Sequence, residues 1–103
     1  MNLENTIRIG LGVVAGSSHA ASIVYGTYKG SLDAQGIDTG VLPVHFHMLG
    51  TALATAAGFA ASTDKKRIEQ MFHGALTGAI AAPVELAVGY LFGYATTWIT
   101  NKF

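Results

Sequence analysis

The chain of 103 residues has no cysteine, only two prolines and few charged side chains. Without cysteine it can form no disulfide, no thiolate metal site and no cysteine nucleophile. Charged residues make up 12% of the sequence and hydrophobic residues 50%, whereas soluble domains carry about 25% charged residues. This composition predicts a single all-α domain over residues 1–103 that lies in contact with lipid.

The few charges are separated by long uncharged stretches. No charged residue occurs in 9–28 or in 39–63, and Glu85 is the only one in 70–101. A segment of about 20 mostly apolar residues can cross about 30 Å of hydrocarbon. We therefore expect a small, multi-pass helical bundle of the membrane. Its mean hydropathy of +0.41 is modest because small residues replace leucine in these stretches, as in closely packed membrane helices.

Enzymatic and nucleic-acid-binding functions find little support in the sequence. The net charge is zero, and the one basic cluster, Lys65-Lys66-Arg67, is short enough to be an ordinary solvated loop. No serine, histidine and acid arrangement at catalytic spacing and no phosphate-binding loop occurs. We expect no catalytic residue, no metal, no cofactor and no small-molecule substrate.

Glycine and other small residues recur at every fourth position in each uncharged stretch. Gly74, Gly78 and Ala82 form the clearest series, which a helix would place on one face. Glycine inside a water-soluble helix costs roughly 1 kcal/mol relative to alanine, whereas between membrane helices it allows close backbone approach. We therefore predict that eight glycines pack helices together: Gly12, Gly16, Gly50, Gly58, Gly74, Gly78, Gly89 and Gly93.

Four glycine-striped helical segments are predicted, at about 6–28, 43–62, 68–82 and 84–100. Asn5 is a plausible N-cap of the first segment, and Gly30 is expected to end it before a polar loop. Pro43 suits the first turn of the second segment. A charged connection over 64–69 leads into the third.

Pro83 decides between four segments and three. A continuous helix over 71–99 would be about 43 Å long at 1.5 Å per residue, well beyond the hydrocarbon core. Ala82-Pro83-Val84-Glu85 also resembles a helix start, with proline first and an acid in the first turn. We therefore predict a break here, with both termini on one side and Glu85 near the interface. The alternative is three spans with the last kinked at Pro83 and Glu85 near mid-membrane.

Four histidines are the only side chains suited to axial haem ligation: His19, His45, His47 and His73. The pattern His45-Phe46-His47 is similar to the membrane anchors of succinate dehydrogenase, where helix histidines hold a b-type haem and line a quinone site. Residues i and i+2 of a helix do not share a face, so at most one of the pair can face a given partner. We predict that neither His45 nor His47 binds haem, and we keep this cofactor role as an alternative.

The charged connection and the glycine step after it resemble the mitochondrial inner-membrane translocase (TIM) channel family. In that family a short charged loop leads into a third helix that begins with a G-x-x-x-G step. Here Asp64-Lys65-Lys66-Arg67 leads to Gly74 and Gly78. The likeness continues backward over 50–62 and, more loosely, over the first helix.

The resemblance implies a glycine-striped four-helix bundle in the mitochondrial inner membrane. The loop after the first helix is basic in translocase subunits but contains Asp33 and Asp38 here. This difference favours the family's accessory subunit of respiratory complex I (NADH:ubiquinone oxidoreductase), a non-catalytic subunit that contacts other membrane subunits and lipid. A subunit of an inner-membrane protein translocase is one alternative function. A haem or quinone anchor of succinate dehydrogenase type is the other.

Overall fold

A computed structural model describes residues 2–40, 43–61 and 66–102. Within these ranges the chain forms three α-helices and no strand: α1 (Leu3–Ala34), α2 (Val44–Ala61) and α3 (Arg67–Lys102). The predicted all-α fold is confirmed. The prediction of four segments is wrong, and the alternative of three helices is confirmed. The predicted end of the second segment at Ser62 and the Asp64-Lys65 part of the charged connection lie outside the described residues.

Helix α1 begins earlier and ends later than predicted. Its N-cap is Asn2, whose side-chain oxygen accepts a hydrogen bond from the backbone N–H of Asn5 at 2.8 Å. Gly30 does not end the helix, because it is buried against α3. An ion pair of 3.0 Å between Lys29 and Asp33 supports the additional turn. The polar loop therefore starts one helical turn later than the glycine signal indicated.

Helix α3 passes through Pro83 without interruption, and this overturns the predicted break. It contains 36 residues, which corresponds to about 54 Å. Proline removes one backbone N–H donor, but packing against neighbouring helices can hold such a helix together in a membrane. Ala82 and Leu86 on either side of Pro83 are 0% and 1% exposed, so this turn is held inside the bundle. Glu85 consequently lies near the middle of α3.

The helices run up, down and up. His19 and Glu85 are hydrogen-bonded, as are Ser31 and Thr97, and in both pairs the partners are 66 positions apart, so α1 and α3 are parallel in constant register. Helix α2 runs antiparallel to α1. Its Gly58 lies beside Ala15, while its other end lies near Tyr25. The two ends of the described chain thus lie at opposite ends of the bundle, and the predicted placement of both termini on one side is wrong.

Helices α1 and α3 are long and apolar enough to cross a membrane. Only 6% of the most apolar window of α1 and 22% of that of α3 are buried, whereas the core helix of a soluble protein would be mostly buried. A signal sequence can also pass a length and composition test, but α1 packs along α3 over much of its length. These features support a membrane protein.

The core is thin and consists mainly of small side chains. Among the described residues the buried apolar ones are Ala56, Ala82 and Leu86. Buried Thr51 and Thr55 hydrogen-bond to side chains of α1, whereas buried Ser22 donates to a backbone carbonyl within α1 itself. The large apolar side chains, such as those on the outer faces of α1 and α3, are mostly exposed. The bundle is therefore held by backbone proximity and hydrogen bonds more than by interlocked large side chains.

Candidate functional site

A parallel glycine seam joins α1 to α3, and we define this α1–α3 seam by Gly26, Gly30, Gly89 and Gly93. All four residues are buried. A methyl group added at any of them would overlap a backbone carbonyl of the opposite helix. Those carbonyls belong, in the same order, to Leu86, Tyr90, Ile23 and Thr27. Each helix contributes a G-x-x-x-G pair, which is the arrangement that permits close approach of membrane helices.

A second seam joins α3 to α2 through Gly74 and Gly78. An added methyl group would lie 2.5 Å from the carbonyl oxygen of Thr55 at Gly74, and 2.5 Å from that of Thr51 at Gly78. Both distances are far inside van der Waals contact, so no other side chain fits without moving backbone. The stretch that the sequence predicts to be a packing surface is therefore used within the chain itself.

The other predicted packing glycines lie in different surroundings. At Gly58 an added methyl group would be 3.2 Å from the Cβ of Ala15, a tight contact between α2 and α1. At Gly12, Gly16 and Gly50 it would meet no heavy atom within 4 Å in the described part of the chain. Sequence reasoning missed Gly26 because Gly30, four residues later, was interpreted as a helix end.

A polar cluster lies where the three helices meet, and we call His19, Thr55 and Glu85 the central cluster. Nδ1 of His19 lies 2.8 Å and 2.7 Å from the two carboxylate oxygens of Glu85. Nε2 of His19 lies 2.9 Å from the hydroxyl oxygen of Thr55. One imidazole ring thus connects all three helices. The side chains of His19 and Glu85 are 25% and 20% exposed.

Hydroxyl groups extend this cluster along the bundle. The hydroxyls of Ser18 and Thr51 share a hydrogen bond of 2.9 Å between α1 and α2. Ser22 donates to the backbone carbonyl of Ser18 at 3.2 Å. Within the described ranges no buried side-chain nitrogen or oxygen lacks a hydrogen-bond partner. The cluster is a satisfied network, as expected where polar groups are removed from water.

The central cluster lies at the depth of the membrane centre if α1 and α3 span the bilayer. His19 falls within the uncharged stretch 9–28, which at 1.5 Å per residue covers about 30 Å. Carboxylates at that depth are costly, by about 2.5 kcal/mol or more, unless they are paired. The imidazole of His19 supplies the partner. Glu85 is therefore not a first-turn acid at the interface, as predicted, but one half of a mid-bundle pair.

The chemistry open to the central cluster is proton sharing. Neutral imidazole beside a carboxylate leaves one net negative charge, and one added proton makes the pair neutral overall. With a proton on Nδ1 the ring donates to Glu85, while Nε2 and the Thr55 hydroxyl share a hydrogen bond in which either can donate. The sequence signal for the pair was one histidine and one acid, each within an otherwise uncharged stretch.

The remaining histidines are not part of the central cluster. The ring of His47 packs beside that of Tyr25, with centroids 5.1 Å apart and planes tilted by 39°, and His45 is exposed at the start of α2. His73 is exposed near the beginning of α3, towards the opposite end of the bundle. Facing histidines of a two-ligand haem site would have to lie at matching depth, and His73 does not share the depth of His45 and His47.

A second polar contact ties the far end of α1 to α3. Asp33 accepts hydrogen bonds from Lys29 at 3.0 Å and from the hydroxyl of Tyr90 at 2.6 Å. Lys29 is 7% exposed, and its charge is balanced by this carboxylate. Lys102 lies over the ring of Trp98 at 5.4 Å near the same end. Charged and aromatic side chains gather here as they do at a membrane interface.

Comparison with known proteins does not identify a family. The chain matches no family model, no curated protein and no solved structure. The resemblance to the translocase channel family therefore rests on its glycine spacing and charged connection. What the chain does has to be argued from the seams, the central cluster and the outer surface.

Proposed function

We propose that this chain is a non-catalytic structural subunit that packs between other membrane subunits of a larger complex. The observation that carries the proposal is how little of α1 and α3 is buried within the chain. In the most apolar segment of each helix, only 6% of α1 and 22% of α3 is buried. The seams and the central cluster order the three helices without a large core. The outer faces are thus left available for contact with neighbouring helices and lipid.

Glycines that meet no neighbour among the described residues support contact with protein as well as with lipid. Gly12 and Gly16 lie on an exposed face of α1 at the four-residue step that characterises membrane helix pairs. Inside a helix glycine is unfavourable, by about 1 kcal/mol relative to alanine. Close packing of a helix from another subunit against this exposed backbone would offset that cost. Flexible lipid chains would gain little from packing against the same surface.

The finer proposal is an accessory subunit of mitochondrial respiratory complex I that crosses the inner membrane three times. The resemblance of the charged connection and of the Gly74 and Gly78 step to the translocase channel family supports it. The acidic loop after α1 favours the structural branch over the translocase branch. Under this proposal the chain would be a divergent member of that family, with three helices in place of four.

Leucine at both Gly12 and Gly16 is expected to release the subunit from its complex without unfolding it. A branched side chain would hold a neighbouring backbone away, while nothing within the described chain is displaced. The measurement is native gel migration of the tagged chain from mild-detergent extracts of mitochondria. Mass spectrometry of the wild-type band should identify subunits of NADH:ubiquinone oxidoreductase.

A disulfide between Ser31→Cys and Thr97→Cys serves as the control for folding, because these hydroxyls are 2.7 Å apart and the chain has no other cysteine. The Gly12 and Gly16 variant should keep this cross-link. Full co-migration of that variant with the complex would contradict the packing role of this face. A wild-type band without respiratory subunits would reject complex I while leaving the structural role in place.

Cysteines at Lys66 and Asn101 are expected to react from opposite sides of the membrane. Lys66 immediately precedes the continuous helix α3, and Asn101 lies in its last turn. Each single variant is treated in oriented vesicles with a membrane-impermeant thiol reagent, and no native cysteine interferes. Reaction of both from the same side would mean that α3 does not cross the membrane as one helix.

A further inference from the structure

Helix α3 packs against different partners on the two sides of Pro83. Before the proline, Gly74 and Gly78 lie against the backbone of α2. After it, Gly89 and Gly93 lie against the backbone of α1. All four glycines are buried. The bundle therefore contains two closely packed helix pairs that share α3.

Within α3 the two pairs meet at Pro83. We call α1 together with residues 84–102 the first pair, and α2 together with residues 67–82 the second pair. Proline has no backbone N–H, so the carbonyl of Ala79 cannot receive the usual helical hydrogen bond from position 83. Sharp bends in helices occur mostly at proline. The two pairs are thus connected through a turn of α3 that bends more easily than the rest of the helix.

Two side-chain hydrogen bonds connect the pairs between α1 and α2, and we call them the latch. The hydroxyls of Ser18 and Thr51 share a hydrogen bond of 2.9 Å. Nε2 of His19 lies 2.9 Å from the hydroxyl oxygen of Thr55. The backbone carbonyls of the same two threonines contact the glycines of the second pair. Each latch bond therefore joins a residue fixed in the second pair to a residue of the first.

The contact between α1 and α2 is looser than either glycine seam. A methyl group added at Gly58 would lie 3.2 Å from the Cβ of Ala15, which is a side-chain atom. At Gly50 it would meet no heavy atom within 4 Å in the described part of the chain. Backbone contacts along a seam hold two helices in one position, whereas side-chain contacts can separate after a small rotation. Movement between the pairs is therefore easiest where α1 meets α2.

We propose that Pro83 is a hinge which the latch holds closed, so that without the latch the second pair rotates as a unit away from α1. Closely packed units that move about a few bending residues are the usual form of hinge motion. A rotation of about 10° at Pro83 would move Phe72, about 16 Å away along α3, by about 3 Å. The hinge depends on packing within the chain and not on the proposed complex, so either proposal can fail without the other.

The hinge is tested by distances between spin labels on the full chain in phosphatidylcholine nanodiscs. Cysteines at Ile9 and Phe72 carry the labels that measure the distance between the pairs. Cysteines at Val24 and Leu91 measure the distance within the first pair. All four side chains are exposed, and the chain has no cysteine of its own. Pulsed electron paramagnetic resonance gives both distances.

Thr51→Val and Thr55→Val together remove the latch hydroxyls while keeping nearly the same side-chain shape. We expect the distance between the pairs to increase by about 3 Å and the distance within the first pair to stay unchanged. Thr96→Val is the matched control, because that hydroxyl donates to carbonyls of α3 itself. An increase in both distances would show general loosening, and no increase between the pairs would show that the latch holds nothing closed. Either result would overturn the proposal.

Pro83→Ala added to the two valine substitutions should restore the original distance between the pairs. Alanine supplies the missing N–H and favours a straight helix. Val84→Ala is the control for this step, since it also places alanine in the same turn but leaves the proline. A distance that stays long after Pro83→Ala, or an equal recovery with Val84→Ala, would mean that the movement does not occur at Pro83.

Discussion

Leucine in place of Gly93 is expected to separate α1 from α3 and to abolish the engineered Ser31→Cys and Thr97→Cys cross-link. Even a methyl group at Gly93 would overlap the backbone carbonyl of Thr27, and backbone cannot rotate away as a side chain can. Overpacking of a well-packed core costs about 1–3 kcal/mol or more. We expect the upper end or beyond, since the thin core offers little to compensate.

The yield of the disulfide after mild oxidation in detergent measures this effect, and far-UV circular dichroism reports whether the helices persist. Gly12→Leu is the matched control, because the same change there meets no atom within 4 Å among the described residues. Helicity should survive in both variants, as single membrane helices form their own backbone hydrogen bonds. A Gly93→Leu variant that cross-links as completely as wild type would show that α1 and α3 are not joined at this seam.

Alanine in place of Glu85 is expected to lower the free energy of unfolding by about 2–3 kcal/mol. A buried polar group that loses its hydrogen-bond partner costs about 1–3 kcal/mol, and more when a charged group is involved; the Glu85 side chain is 20% exposed. The cost arises because His19 keeps its contact to Thr55 but loses the carboxylate that is hydrogen-bonded to its Nδ1. Glu85→Gln should cost less, since an amide oxygen still accepts from Nδ1.

A double-mutant cycle distinguishes the pair from two independent contacts. His19→Ala and Glu85→Ala are made singly and together, and unfolding is followed in mixed micelles of increasing denaturing detergent. We expect the double variant to lose clearly less stability than the sum of the single losses, because each single change leaves one polar group unmatched. Strict additivity would mean that His19 and Glu85 do not interact across α1 and α3.

These two experiments bear on function in different ways. The α1–α3 seam orders the chain, so its loss should also abolish the proposed packing against other membrane subunits. The central cluster is a satisfied hydrogen-bond network that connects the three helices. Binding to the proposed partner subunits that survives Glu85→Gln would mean that the central cluster is not part of the contact with them.

The positions of the helices could be read from the sequence because they follow from local chemistry. Uncharged stretches near 20 residues predict membrane-length helices, and small residues at every fourth position predict a helix face that approaches another closely. Both signals depend only on spacing along the chain. These signals could not show which glycine packs against which helix. Gly12 and Gly16 have the same spacing as Gly74 and Gly78, but only the latter pair packs against another helix among the described residues.

Local signals failed at the two positions where a distant helix decides the outcome. Gly30 has the appearance of a helix end, yet the backbone of Tyr90 packs against it and α1 continues. Pro83 followed by Glu85 has the appearance of a helix start, yet α3 continues between buried Ala82 and Leu86. In both cases tertiary contact outweighs a propensity of a few kcal/mol at most.

The sequence by itself determined that the chain is helical, poor in charge, able to cross a membrane and without cysteine chemistry, since composition and periodicity suffice for these properties. Only the tertiary structure decided that three helices run up, down and up, and that His19 and Glu85 meet between α1 and α3. The partners are 66 positions apart. No local preference encodes a contact over that separation, because it exists only once the glycine seams have brought the backbones together.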